Sequence, residues 1–355
     1  MDSVTQAALG ATVAGAIAGK RCRPSVLLVG ALLGTLPDLD VLLDYGDAVH
    51  NTIKHRGFSH SLLLLPPLAL MLAWCYCRWR PDRYWSLSRV FFLTLAVLVT
   101  HPLLDAMTTY GTQLLWPFDG YYELRNVFII DPLYALPLLI AVGVALCLPS
   151  HGGRWSQRML LLSTLYLGWG YLSQQWVATR VSDNLARQGL PNEHVLITPT
   201  PFNTLLWRVV VMDEDRYWEG FASVLDQEAR VDFVARPLGK WPLDVKPETL
   251  LGLEAFSHRF LNYRQEAHHL IVSDLRLGIA DQLSFEFVFA ERSPQGDWQL
   301  LDTTWRYPSS RDYALLGPLW QRLQGDQSIH VDLPSSINEA ASRWPRLSED
   351  RGVNL

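Results

Sequence analysis

The sequence predicts an α-helical transmembrane bundle of about six helices followed by a soluble α+β domain with an antiparallel sheet. Three observations lead there. Charge is spread unevenly: residues 1–179 hold 12 basic and 10 acidic residues, whereas residues 180–355 hold 18 and 25. The first half is therefore too poor in charge for an ordinary soluble domain, in which about 25% of residues are charged. It also contains several apolar stretches close to the roughly 20 residues that a helix needs to cross a bilayer. The second half has ordinary soluble composition, with β-rich runs separated by polar turns. At 355 residues two domains are expected. The units read from the sequence are a helical membrane domain over 1–180, a soluble domain over 181–335 and a polar tail over 336–355.

The helices follow in order. Val4–Gly19 is rich in Ala and Gly, and Gly15 and Gly19 form a small-xxx-small pair that permits close packing. Val26–Leu43 is broken by Pro37, Asp38 and Asp40. Ser61–Cys77, Val90–Leu104, Val127–Leu148 and Met159–Thr179 are the clearest spans. A soluble helical core would need polar faces that 61–77 and 159–172 do not offer. In the second half Leu205–Met212, Tyr217–Leu225, His269–Leu275, Leu283–Ala290 and Trp298–Trp305 read as strands. Pro247–Leu261 and Asp312–Leu323 read as helices, and Thr198–Asn203 as a stiff linker.

Six alternating helices put Lys20, Arg21, Arg23, Arg78, Arg80, Arg83, Arg89, Arg154 and Arg158 on one side. The opposite loops carry Lys54, Arg56 and Arg125. The excess of basic residues marks the cytoplasmic side. The chain is then expected to be a multi-pass protein of a bacterial cytoplasmic (inner) membrane, with its C-terminal domain periplasmic. All four cysteines precede that domain, in line with export. Asp2 after Met1 and the lack of a basic leader argue against a cleavable signal peptide. A net charge of −5 gives no basic footprint, so no nucleic-acid partner is expected.

Ionisable residues at membrane depth need a reason. Pro37-Asp38-Leu39-Asp40 ends the second helix, His55-Arg56-Gly57-Phe58-Ser59-His60-Ser61 opens the third, and His101-Pro102-Leu103-Leu104-Asp105 ends the fourth. All three reach one interface under alternating topology. His101 and Asp105, four apart, share a helix face and suit a common ion. His55 and His60 fit together only if His55 lies in the loop. Of the two aspartates Asp40 is preferred as ligand, being nearer the loop. Each piece alone also fits a hydrogen-bonded pair, a cap or a loop residue; the joint occurrence at one depth points to metal. Mixed imidazole and carboxylate donors suit zinc, manganese or iron. The expected ligands are Asp40, His55, His60, His101 and Asp105, with Asp38 in reserve and Asp38 or Asp40 available as general base. Arg56 and Arg125 are candidates for holding a phosphate. Asp131 either orients a histidine or caps the helix that starts at Pro132. Ser59 and Ser61 lack a nucleophile elbow, which argues against a serine hydrolase.

These three motifs in this order, continued by Asp105-Ala106-Met107-Thr108-Thr109-Tyr110-Gly111-Thr112-Gln113-Leu114-Leu115-Trp116-Pro117, resemble the membrane-bound metal-dependent hydrolases of bacteria and archaea. Some of those are inner-membrane proteins of the DNA-damage (LexA) regulon. The resemblance covers roughly residues 1–150. More distantly it extends to zinc-dependent phospholipase C, which implies a phosphoester substrate by analogy. Some members carry a Thr-His pair where this chain has Thr5-Gln6; where that His is a ligand, the resemblance implies that this site has lost one donor or binds fewer ions. The expectation is a membrane hydrolase using a divalent metal, zinc first, on a phosphoester, lipid-linked or lipid-like substrate drawn from the membrane lipids at the outer face. The competing expectation is a non-catalytic metal-binding or envelope scaffold protein.

Overall fold

The computed structural model describes residues 1–82, 84–279, 282–308 and 313–333. Arg83 of the basic loop set and the polar tail 336–355 lie outside the described residues.

The N-terminal half is helical: α1 (Ser3–Ala18), α2 (Pro24–Thr35), α3 (Ala48–Lys54), α4 (Leu65–Trp79), α5 (Leu87–Asp105), α6 (Pro132–Cys147) and α7 (Pro149–Gln188). Two 3-10 turns, Pro37–Leu42 and Phe58–His60, connect α2 to α3 and α3 to α4. α1 starts where the Asp2 carboxylate accepts from Thr5 N at 3.0 Å, a cap worth about 1 kcal/mol. It is buried on nearly every side, packed by α2, α5, α6 and α7, so its Ala/Gly composition is that of a central helix. Close approach to α2 runs through Gly10, Gly30 and Gly34: a Cβ on Gly10 would sit 2.3 Å from Gly30 O, and one on Gly34 2.6 Å from Gln6 O. The expected pair Gly15 and Gly19 divides its roles. Gly15 packs against Ser156 of α7, while Gly19 ends the helix at φ 56°.

The expected six membrane spans are corrected. The expected stretches are helical, yet among the described residues only α5 is long and apolar enough to cross a bilayer alone. The pair Ala48–His60 and Leu65–Trp79, bent by 58°, meets the criterion jointly. α1, α2 and α6 hold 16, 12 and 16 residues, short of the roughly 20 required. The stretch 159–179 is the middle of the 40-residue α7, whose C-terminal part carries Gln174, Asn184 and other polar residues into the second half.

That second half is α+β. One antiparallel sheet has the order β1 (Val195–Pro199), β2 (Leu206–Met212), β3 (Arg216–Ser223), β4 (Phe233–Pro237). A second has the order β10 (Trp298–Arg306), β9 (Glu286–Arg292), β6 (His269–Asp274), β5 (Leu261–Glu266), and β7 (Gly278–Ile279) pairs with β8 (Gln282–Leu283). β2 is buried on both faces. Trp207, Val209 and Val211 meet Val177, Val181 and Leu185 of α7, while Val210 and Met212 meet Phe260, Leu275 and Leu283. The helix expected over 247–261 is α8 (Glu248–Phe256), followed by β5, and α9 spans Leu316–Leu323. The expected linker Thr198–Asn203 is corrected in part: Thr198 and Pro199 end β1, in register with Arg208 and Trp207.

The halves meet at the loop after α5. Tyr110 and Val49 share a core with Leu250, Leu253, Phe256, Phe287 and Phe289. Glu123 accepts from Arg276 at 2.8 Å.

Candidate metal centre

Four segments converge at the end of the bundle where α2 and α5 finish and α4 begins. The turn Pro37–Leu42 brings Asp38, the turn Phe58–His60 brings His60, and the last turn of α5 brings His101 and Asp105. The fourth segment is α1, whose Gln6 is buried against Asp105.

One atom from each of Asp38, His60, His101 and Asp105 lies within 4.8 Å of the others. His60 Nε2 and His101 Nε2 are 3.1 Å apart. Asp38 Oδ1 is 3.5 Å from His60 Nε2 and 3.3 Å from His101 Nε2. Asp105 Oδ2 is 3.2 and 3.4 Å from the same two nitrogens. His60, His101 and Asp105 are fully buried, and the Asp38 side chain is 19% exposed.

The surrounding hydrogen bonds decide what those nitrogens carry. His101 Nδ1 lies 2.6 Å from the Gly34 carbonyl, which only accepts, so the ring proton sits on Nδ1. Ser59 Oγ is 2.7 Å from Asp40 Oδ2 and 2.8 Å from His60 Nδ1. Its one proton goes to the carboxylate, so it accepts from His60 Nδ1–H. Both rings, in their neutral form, therefore turn Nε2 lone pairs inward. Asp38 Oδ1 and Asp105 Oδ2, both buried, have no hydrogen-bond partner. Two imidazole nitrogens and two carboxylate oxygens brought together in this way could hold a metal ion, with Arg56 as the one cationic side chain beside Asp105 Oδ2.

Asp105 is held from behind. Gln6 Nε2 donates to its Oδ1 at 3.1 Å, the Met1 amino group donates to the same oxygen, and Arg56 Nε lies 3.3 Å from Oδ2. Arg56, at φ 64°, is buried with its guanidinium 4.9 Å from the Tyr110 ring. Asp40 accepts from His55 Nδ1 at 2.8 Å, from Ser59 Oγ and from Arg56 N at 2.9 Å. Burial would raise its carboxyl, but the bonds from His55 and Ser59 hold it below the usual carboxylate range, so it stays an anionic acceptor.

Of the residues singled out in the sequence, Asp38, His60, His101 and Asp105 form the four-atom group. Asp40 and His55 pair with each other beside it, and Arg56 lies against Asp105. Arg125 is turned to Glu123, with Nε 3.4 Å from Oε1. Asp131 caps α6 by accepting from Leu133 N at 3.0 Å, and its other oxygen accepts from Tyr166 at 2.9 Å. Gln6 and Ser59, which the sequence offered only as a missing metal donor and an unlikely nucleophile, hydrogen-bond to Asp105 and to His60. A polar amide on an Ala/Gly-rich helix, and a hydroxyl next to a histidine, were the available signals.

The family described as "YdjM inner membrane protein" matches residues 1–177. The Escherichia coli (strain K12) protein named "Inner membrane protein YbcI" is 30% identical over 168 residues, covering 46% of this chain and 95% of that protein. The Bacillus subtilis (strain 168) protein YfhP, itself named as uncharacterized, is 22% identical over 313 residues, covering 78% of this chain and 91% of its own length. No solved structure matches the chain. The matched residues contain every member of the four-atom group, and the chain belongs to the YdjM family of inner membrane proteins.

Proposed function

We propose that the protein is a membrane-bound, metal-dependent hydrolase acting on a phosphoester or lipid-like substrate at the outer face of the inner membrane. The observation that carries this reading is the set of five donor–donor distances between 3.1 and 3.5 Å among four acceptor atoms. A tetrahedral ion with bonds of about 2.0–2.1 Å spaces its donors about 3.3–3.4 Å apart, which favours zinc over calcium. A divalent ion there would supply a Lewis acid that polarises the scissile bond and acidifies water. The chain's own residues do the rest. Gly34 and Ser59 set the histidine tautomers, Asp40 anchors Ser59 and His55, and Gln6 and Arg56 fix Asp105. Asp38 is the solvent-facing member, so substrate reaches the site on its side.

The connections that carry Lys20, Arg21, Arg23, Arg78, Arg80, Arg89, Arg154 and Arg158 lie at the other end of the bundle, where Tyr84 reaches the Ala18 carbonyl and Gly153 packs on Gly19, and this basic excess away from the site supports a periplasmic site and C-terminal domain. The domain packs at the same end of the bundle as the site, through Tyr110 and Glu123. One specific observation favours a second reading. Four protein donors around a tetrahedral ion make a closed site, the pattern of a structural metal.

The test is metal analysis of the detergent-purified protein, followed by cobalt substitution and a screen of phosphoester lipids. The hydrolase reading expects bound metal, turnover, and a cobalt spectrum that shifts when inorganic phosphate is added. Bound metal with no turnover and an unmoved spectrum would establish the structural reading. Absence of metal from folded protein would remove both.

A further inference from the structure

The metal centre is set in an apolar rim. α5 is long and apolar enough to cross the bilayer, and its last turn carries His101 and Asp105, so the cluster sits where that helix meets the membrane surface. Two chain segments border it there, and a third is knit to them. Asp40 accepts from Ser59 and from the backbone of Arg56, which ties the turn Pro37–Leu42 to the turn Phe58–His60. Leu62 N donates to Leu114 O at 2.8 Å, Ser61 Oγ donates to Trp116 O at 2.6 Å, and the Phe58 and Trp116 rings meet edge-on at 6.3 Å. These contacts tie residues 58–64 to residues 114–118.

The first two segments turn polar groups toward the cluster, and all three expose large apolar side chains. Asp38 and Asp40 face the cluster, while Leu39, Val41 and Leu42 are 54, 68 and 78% exposed. Beside His60, Phe58 is 39% and Leu63 48% exposed, and on the third segment Phe118 is 67% exposed. Scattered exposed apolar residues are ordinary, but three adjoining segments that expose large apolar side chains at one site are not. This rim adjoins the bundle: Leu62 packs against the core of Leu65, Ala69 and Leu98, where α4 meets α5, and Leu103, in the last turn of α5, is 40% exposed.

We propose that residues 39–43, 58–64 and 115–118 form a collar immersed in the bilayer at the boundary of headgroups and acyl chains, and that the site is loaded from the bilayer with a lipid whose ester group lies at that depth. The occupant of the collar is the phospholipid bilayer itself, because the collar adjoins the membrane-crossing helix. A collar of this kind lowers the distance a lipid must rise to reach the ion, and gives a water-soluble substrate nothing to hold. The loading half rests on the hydrolase reading above; the immersion half does not.

The experiment uses the full chain in vesicles of phosphatidylethanolamine and phosphatidylglycerol. A genetically encoded environment-sensitive fluorophore replaces Leu42, Phe118 or, as an aqueous reference, Val245 of the C-terminal domain, which is 69% exposed. Brominated lipids are expected to quench the first two, and iodide only the third. Equal iodide quenching at all three positions overturns the collar, whatever the protein hydrolyses. For loading, Leu42→Glu with Phe118→Glu is expected to lower hydrolysis of vesicle lipid by about tenfold. The same variant should keep its metal and its rate on the same lipid dispersed in detergent. Equal rates in vesicles for variant and wild type overturn the loading. A wild type that binds metal and hydrolyses neither form fails the hydrolase reading, and the loading with it, while the quenching still decides the collar.

Discussion

Ser59 has one proton to give and two neighbours competing for it, an anionic carboxylate at 2.7 Å and an imidazole nitrogen at 2.8 Å. The carboxylate takes it, and the histidine is left as the donor. That assigns His60 the tautomer a metal needs, as the Gly34 carbonyl does for His101. Outer partners of this kind are worth about 10- to 100-fold in metal affinity. Ser59→Ala is therefore expected to weaken zinc binding by about that factor, with Ser59→Thr restoring most of it, measured by chelator competition. Unchanged affinity in Ser59→Ala would show that the hydroxyl does not orient the ring. Asp105→Asn removes charge while keeping size, and His101→Ala removes a donor. Both variants should insert and lose metal; wild-type metal content in both would reduce the pair to a hydrogen-bonded strut between helices. Spacing within α5 was enough to pair His101 with Asp105. Asp38 and Asp40 stand two apart on a 3-10 turn of three residues per turn, so they point to different sides, and nothing local says which side holds the ion. His55 and His60 are separated by Arg56 at positive φ, which breaks the helix that would have related them.

At the scale of elements, α1 and α2 touch backbone to backbone. The carbonyl that orients His101 belongs to Gly34, where a Cβ would come 2.6 Å from Gln6 O and 3.0 Å from Gly10 Cα. Gly34→Ala should force the helices apart, cost about 1–3 kcal/mol, and lower metal affinity as well as thermal stability. A folded variant with lowered thermal stability but intact affinity would separate packing from metal binding. The second junction is titratable. Burial pushes the Glu123 carboxyl up to about 7 from an ordinary 4.5, against the pull of Arg276 and Arg125. Asp274 and His258 complete its surroundings. A carboxyl raised by folding binds protons more tightly in the folded state. Its junction is thus most stable below about pH 4.5 and weakens as pH climbs to about 7, by at most about 1.4 kcal/mol per unit. Hydrogen exchange over β6 and the following loop should show this slope, and Glu123→Gln should flatten it. An identical slope in the variant would assign the effect to other groups.

For the whole molecule, α7 is the connecting rod. Its first turns pack with α6 beside Gly19, and its last turns form the floor of the β1–β4 sheet. At about 1.5 Å per residue it is roughly 60 Å long, twice the hydrocarbon thickness of a bilayer. The C-terminal domain is carried on the end that also holds the candidate metal centre. The proposed topology puts both in the periplasm. Alkaline phosphatase fused at the C-terminal end is expected to be active, and a cytoplasmic reporter at the same point silent. The reverse pattern would turn the site to the cytoplasm and remove the outer leaflet as its source of substrate.

The sequence by itself determined which half is helical and apolar, which half is α+β, and which short motifs hold the ionisable residues, because composition and periodicity are local properties. The β2 run of apolar residues and the His101–Asp105 pair were legible for that reason. Only the tertiary structure decided which helices have the length to cross a bilayer, since a hydropathy window does not see where a helix breaks at Pro37 or runs on to Gln188. It alone brought Asp38 rather than Asp40 to the two inward nitrogens, and set Gln6, Ser59 and Gly34 around them. Those placements depend on how helices distant in sequence cross, and close crossing at glycine is a property of pairs of helices, not of either one.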